Sequence, residues 1–283
     1  MARLQASLSR IMDAYKQVSS TADQSASILL AGDSGLVAAA QQQFSAGGIV
    51  PATWVGPLHQ MAEVLSGPGE IMVLFIKADQ EAEVERLVED HPLKGGLVLA
   101  VDEGPDATGR STYPGKRRAR VPFSDSSHGW HGLFVACAKV AAERSVALGR
   151  RYPMIRNIAA GQVIQRTALQ NGLVALAFII PGADMPAMTL NQAKMVVNVG
   201  SMYGAEPNQE RALELVVLIG AGLGFRALTR RLVKIMPGLA WLIRIALGYG
   251  ATLAVGRAAI VYFEKGAPAS TSRVVALVRS FKH

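Results

Sequence analysis

The chain of 283 residues is half apolar and only 18% charged, with a mean hydropathy of +0.25, a composition that calls for extensive burial or contact with lipid. Its single cysteine, Cys137, excludes an internal disulfide, and its length is enough for two domains. The net charge of +8 is unevenly placed: residues 1–103 carry 6 Lys+Arg against 13 Asp+Glu (−7), and residues 104–283 carry 23 against 8 (+15).

The N-terminal stretch MARLQASLSRIMDAYKQV has no continuous apolar core and no small-residue cleavage site, so it does not read as a signal peptide. Leu4, Leu8, Ile11, Met12, Tyr15 and Val18 recur at helical spacing, which predicts a helix docked on its own domain or lying on a membrane surface. SILLAG (27–32) then reads as a strand and LVAAAQQQFS (36–45) as a helix. VPATWVG (50–56) is a second strand, followed by a short helix over 59–65. EIMVLFIKA (70–78) is apolar almost throughout, as a central strand covered on both faces must be. An acidic amphipathic helix over 79–91 leads to strands at 95–103 and 118–124. Strands alternating with short helices predict a mostly parallel, doubly wound α/β sheet. The segment between the last two strands, GPDATGRSTYPGKRRAR (104–120), reads as a mobile basic loop.

From Gly129 onward the pattern is helical, with breaks at Tyr152-Pro153, Pro181-Gly182, Gly204–Pro207 and Pro237-Gly238. The expected division is an α/β domain over 1–127 and an all-α, basic, apolar helical domain over 128–283. The longest uncharged run, Thr167–Ala183, is shorter than the roughly 20 residues a membrane span needs. The runs 215–225 and 245–256 are shorter still and end in Glu or Arg, which suits a buried helical core or a shallow insertion. Cys137 lies in an apolar helical run with nothing beside it to lower its pKa, and reads as a core thiol. HGWH (128–131) beside Asp125 reads as a domain-boundary cap, with Trp130 packed between the domains, in preference to a metal site.

The stretch ILLAGDSGLVAAA (28–40) is a strand, a Gly-containing turn and a helix, which is how phosphate-binding loops begin. Counting from Gly32, the second Gly of a P-loop is replaced by Val37, the phosphate-binding Lys by Ala38 and the Mg²⁺-holding Ser/Thr by Ala39. What remains is the turn Gly32-Asp33-Ser34-Gly35, in which Asp33 places a negative charge where a phosphate would lie and serves as a helix cap.

The layout of residues 25–127 resembles an Era-like small GTPase domain with its chemistry lost. VLFIKAD (73–79) stands where such domains carry a long apolar strand ending in Asp. In place of their guanine-reading N-K-x-D stands Leu99-Ala100-Val101-Asp102, which keeps the Asp alone. TWVGP (53–57) has no Asp where D-x-x-G would fall, and the switch segment and one edge strand are missing. The resemblance marks Gly32, Asp33, Ser34, Gly35 and Asp102 as vestigial nucleotide positions and implies no cofactor, with nucleotide binding weak or absent.

Residues 179–266 resemble the bacterial helical domain of unknown function found in YcjF-type membrane proteins and fused to Era-like GTPases. The matching features are Pro181 and Asp184, then Gln192, Met195 and Tyr203-Gly204. A Gly-rich helix before an Arg/Lys cluster, Pro237-Gly238 and the ending Gly256-Arg257…Tyr262-Phe263…Gly266 complete the match. The resemblance implies membrane association and carries no reaction. Arg226, Arg230 and Lys234 at i, i+4, i+8, with Arg231 beside them, form a cationic stripe suited to anionic lipid.

The reading is therefore a non-enzymatic bacterial protein at the cytoplasmic face of a membrane, peripheral or shallowly inserted. Its expected partners are lipid, a membrane protein or a second copy of the chain. An active GTP or ATP hydrolase with an atypical loop is the alternative. Nucleic-acid binding through the basic half is a third reading, disfavoured because aromatics are few and the basic residues are spread through apolar helices.

Overall fold

The computed structural model describes residues 26–45, 48–57, 60, 70–90, 95–104, 110–115, 117–177, 185–205 and 240–266. The predicted helices at the N-terminus and at 59–65, and the Pro181–Asp184 break, lie outside them. The chain divides into two compact units, an α/β unit, Asp23–Ala159, and a helical unit formed by Ala160–His283 with Met1–Ala22.

The α/β unit holds strands β1 (Ser27–Gly32), β2 (Ala52–Trp54), β3 (Glu70–Lys77), β4 (Gly96–Asp102) and β5 (Arg118–Phe123). Its helices are α1 (Ser34–Ser45), α2 (Glu81–Asp90), α3 (Ser127–Ala141), α4 (Ser145–Arg151) and the start of α5 (Pro153–Ala177). All strand pairs are parallel, in the order β2-β1-β3-β4-β5. That is the flavodoxin-like order, whose direction of winding reverses between β1 and β3. The central place of β3 explains its sequence: all six residues Ile71–Ile76 are buried, because both faces of the strand are covered.

The period-2 alternation sorts the core into two layers. One face joins Leu29, Ala31, Met72, Leu74, Ile76, Leu97 and Val101 to Val84 and Val88 of α2. On the other face, Phe75 and Phe123 stack edge-on with each other and with Trp130 of α3, while Phe44 of α1 packs edge-on against Phe134 and Tyr152. The Tyr152 hydroxyl accepts a hydrogen bond from the Ile28 amide at 3.1 Å.

This second layer places Trp130 within the α/β unit. The expected position between domains is thus corrected: the ring is 6% exposed and its Nε1 donates to Asp125 Oδ1 at 2.8 Å. The unit boundary falls within α5 at 159/160, where the sequence reading drew it at 127/128. The physical reason is that α3 belongs to the sheet, burying Trp130, Leu133, Ala136, Cys137 and Val140.

In the helical unit, α5, α6 (Met185–Met202) and α7 (Ala240–Glu264) pack with little room between them. A Cβ on Gly256 would come within 2.5 Å of Ile164, and one on Gly200 within 2.8 Å of Phe263. Such positions let helices approach closely. The neighbours at these glycines fix direction. Ile164 meets Gly256 and Gly172 meets Ile245, so α5 and α7 are antiparallel. Gly248 lies by Met188 and Gly200 by Phe263, so α6 and α7 are parallel.

Candidate functional site

In an open parallel sheet, ligands bind beyond the carboxyl ends of the strands, at the reversal of winding. Here that edge gathers Gly32-Asp33 after β1, Lys77-Ala78-Asp79 after β3, Asp102-Glu103-Gly104 after β4 and Ser124-Asp125-Ser126 after β5. The β3–β4 register sets Lys77 beside Asp102. The structure thus brings the loop and Asp102 to one edge, although they are far apart in sequence.

The turn itself is built around the chain's own carboxylate. Asp33 Oδ1 accepts hydrogen bonds from the amides of Gly35 at 3.0 Å and Leu36 at 3.1 Å. These are the donors that a phosphate at this helix N-terminus would use. Gly32 precedes them with φ +109°, and a Cβ there would stand 2.0 Å from the Phe75 carbonyl oxygen, so only glycine fits. Ser34 opens α1 with an exposed side chain. Asp102 is also turned to local use, its Oδ1 accepting from the Gly104 amide at 2.9 Å.

Beside this edge lies a contact that the sequence reading missed. Arg120 of β5 donates through Nε and Nη2 to both carboxylate oxygens of Glu81, the latter bond at 3.0 Å, and through Nη2 to Glu103 at 2.9 Å. The Glu81 bond, foremost, raises the affinity of the guanidinium for its proton. This clamp joins the first residue of α2 to the end of β4. Its signal was the RARVPF alternation, which puts Arg118, Arg120 and Pro122 on the α2 face of an edge strand.

The loop expected to be mobile is partly anchored. Thr112 exchanges two backbone hydrogen bonds with Arg120, each 2.9 Å, and Lys139 Nζ stands 4.1 Å from the centre of the Tyr113 ring. Ser126 is the N-cap of α3, accepting from the Gly129 amide at 3.2 Å. Among the described residues no group of three His, Cys, Asp or Glu is placed to hold a metal. The Cys137 thiol is fully buried and burial pushes its pKa up to about 12, which leaves it protonated and unreactive.

The helical unit contains a second feature that the sequence reading did not assemble. Thr252 Oγ1 on α7 donates to the Gly248 carbonyl at 2.8 Å and accepts from Asn171 Nδ2 at 2.9 Å and Gln192 Nε2 at 3.2 Å. Asn191 Nδ2 donates to Asn171 Oδ1 at 2.9 Å. The Thr252 hydroxyl thus uses its one donor and both acceptor positions. Gln192 Oε1 is buried with no hydrogen-bond partner. This network ties three helices together. Arg226, Arg230, Arg231 and Lys234 lie outside the described residues.

Among the described residues one helix, Trp241–Glu264, is long and apolar enough to cross a membrane by length and composition. The model of a family described as a domain of unknown function, DUF697, matches residues 141–279, so the chain carries that domain behind its parallel sheet. No curated protein and no solved structure matches the chain.

Proposed function

We propose that this chain is a non-enzymatic, membrane-associated protein. Its α/β unit is a nucleotide-type fold without the chemistry, and serves to bind partners. The reading of that unit as a degenerate Era-like domain rests on five parallel strands, short of one edge strand of that layout, with the loop and Asp102 at one edge. The observation that carries the proposal is the Asp33 carboxylate on the amides of Gly35 and Leu36. A phosphate there would have to displace it and then sit beside it without a lysine from the loop itself, where Ala38 stands.

Membrane association through the helical unit, read as a YcjF-type module, draws support from the apolar length of α7 and from the charge of residues 160–283, 13 Lys+Arg against 5 Asp+Glu (+8). The proposed setting is the cytoplasmic face of a bacterial membrane, with lipid, a membrane protein or a second copy as partner.

Titration calorimetry with Mg²⁺-GTP and Mg²⁺-ATP tests the first half. The expected result is a dissociation constant no tighter than about millimolar, with no turnover. A micromolar constant, or hydrolysis abolished by Asp102→Ala, overturns it in favour of an active hydrolase.

A further inference from the structure

Helices α5 and α7 carry matching exposed stripes. On α5, Leu169, Leu173 and Leu176 are 60%, 56% and 49% exposed. On α7, Leu242 and Tyr249 are 47% and 36% exposed, with exposed Ala246 between them. Both stripes follow the spacing i, i+4, i+7, the alternating step of a helix–helix seam. They stand side by side at one level, because a Cβ on Gly172 would lie 3.5 Å from Ile245 and 3.7 Å from Tyr249. The face is neutral: α5 has no charge from 167 to 177 and α7 none from 245 to 256. Arg244 is half-buried, and Arg166 and Arg257 stand outside the stripes.

The five large side chains of these stripes, with Trp241 beside Leu242, are each about half exposed. At roughly 200 Å² per free side chain they present on the order of 600 Å² per copy, so two copies face to face remove about 1,200 Å², the lower bound of a stable interface. Gln165 and Gln170 are exposed along the α5 stripe. An amide against acyl chains has no hydrogen-bond partner, whereas the rim of a protein interface keeps it in water.

The pattern is complementary to itself. Because α5 and α7 are antiparallel and their stripes share a level, a two-fold axis along the helices sets α5 of one protomer on α7 of its partner, and the reverse. Leu173, in the middle of its stripe, then faces the partner's Ala246, in the middle of the other, so large meets small. Pairing like helices would instead crowd Leu173 against its own mate and leave a gap between two alanines. We infer that a second copy of this chain docks on the face of Leu169, Leu173, Leu176, Leu242, Ala246 and Tyr249, with α5 seated on the partner's α7. This rests on the partner-binding reading above; among lipid, a membrane protein and a second copy it selects the copy and names its face.

The full chain in mild non-ionic detergent is expected to sediment at twice the 30.0 kDa mass of one copy. Leu173→Glu changes an exposed position, so its helix content by circular dichroism should be native, and it is expected to raise the dimer dissociation constant at least tenfold. The one native cysteine, Cys137, is fully buried, so engineered thiols report alone. Co-expressed Leu173→Cys and Ala246→Cys chains are expected to form a mixed disulfide under mild oxidation, and neither chain alone a symmetric one.

A monomer in sedimentation overturns the inference, as does a dimer that Leu173→Glu leaves unchanged. A symmetric disulfide in Leu173→Cys alone overturns the seating of α5 on α7. Flotation with phospholipid vesicles, run beside these measurements, keeps the two readings apart. A monomer that floats, and that Leu173→Glu releases, gives this face to lipid and leaves the membrane reading standing. A dimer that does not float removes the membrane reading and keeps this one.

Discussion

The two units dispose of polar and apolar groups in opposite ways. The α/β unit buries a single polar side chain among the described residues, Ser145, and exposes Asp33, Asp79, Asp102 and Glu103 at its carboxyl edge. Of the six buried polar or charged residues among those described, five (Thr167, Asn171, Gln192, Ser201 and Thr252) belong to the helical unit. Of the eight exposed large hydrophobics among the described residues, six belong there too. The first unit is organised as water requires. The second buries Asn171, Gln192 and Thr252 and exposes Leu169, Leu173 and Leu176.

The sharpest way to break the comparison is to cut the chain where the helical pattern begins. A fragment of residues 23–159 is expected to unfold cooperatively in urea, because it keeps α3 on the sheet. A fragment of residues 1–127 loses Trp130, Leu133, Ala136 and Cys137, and is expected to lack a cooperative transition by circular dichroism. Within the longer fragment, Trp130→Ala alone is expected to cost about 3–5 kcal/mol, the usual range for emptying a large aromatic site. A cooperative 1–127 fragment of equal stability would mean that α3 is not part of this core.

The inward amides give a smaller effect with a sign that distinguishes two roles. Asn171→Ala strands the Asn191 amide and one acceptor site of Thr252, and is expected to destabilise by about 1–3 kcal/mol. Gln192→Met gives up the 3.2 Å donor to Thr252 but also removes a carbonyl that has no partner and fills a similar volume, so chemical denaturation should show a smaller loss, less than about 1 kcal/mol. Equal losses would show that the network is no more than packing.

A local effect belongs to the turn after β1. Asp33→Ala removes the acceptor for two amides at the start of α1 and is expected to cost about 1 kcal/mol, as N-cap deletions do, read as a lower urea midpoint with unchanged slope. No change would mean that water replaces the carboxylate at this turn without loss.

Residue patterns made much of this legible. Strand β1 was readable to the residue, and the unbroken apolar run 71–76 announced a central strand, because a strand buried on both faces has no room for alternation. The capping role of Asp33 was equally local, since a carboxylate one residue before a helix finds its donors within three residues. The Tyr152-Pro153 break held, with Pro153 opening α5 where a missing amide costs nothing.

The sequence by itself determined which residues alternate, which cap, and that the turn after β1 is followed by Ala38 and Ala39 with no lysine. Tertiary structure alone decided what meets across the chain. Arg120 found Glu81 and Glu103 only because parallel pairing set β5 beside β4 and α2 over that face. The end of the sheet unit was likewise invisible, because α3 and the helices after it share one helical pattern and differ only in what they bury against. The network of Asn171, Gln192 and Thr252 joins three helices up to 81 residues apart in sequence. No local periodicity places such residues at one level; the close approach at Gly256 and the shared hydroxyl of Thr252 do.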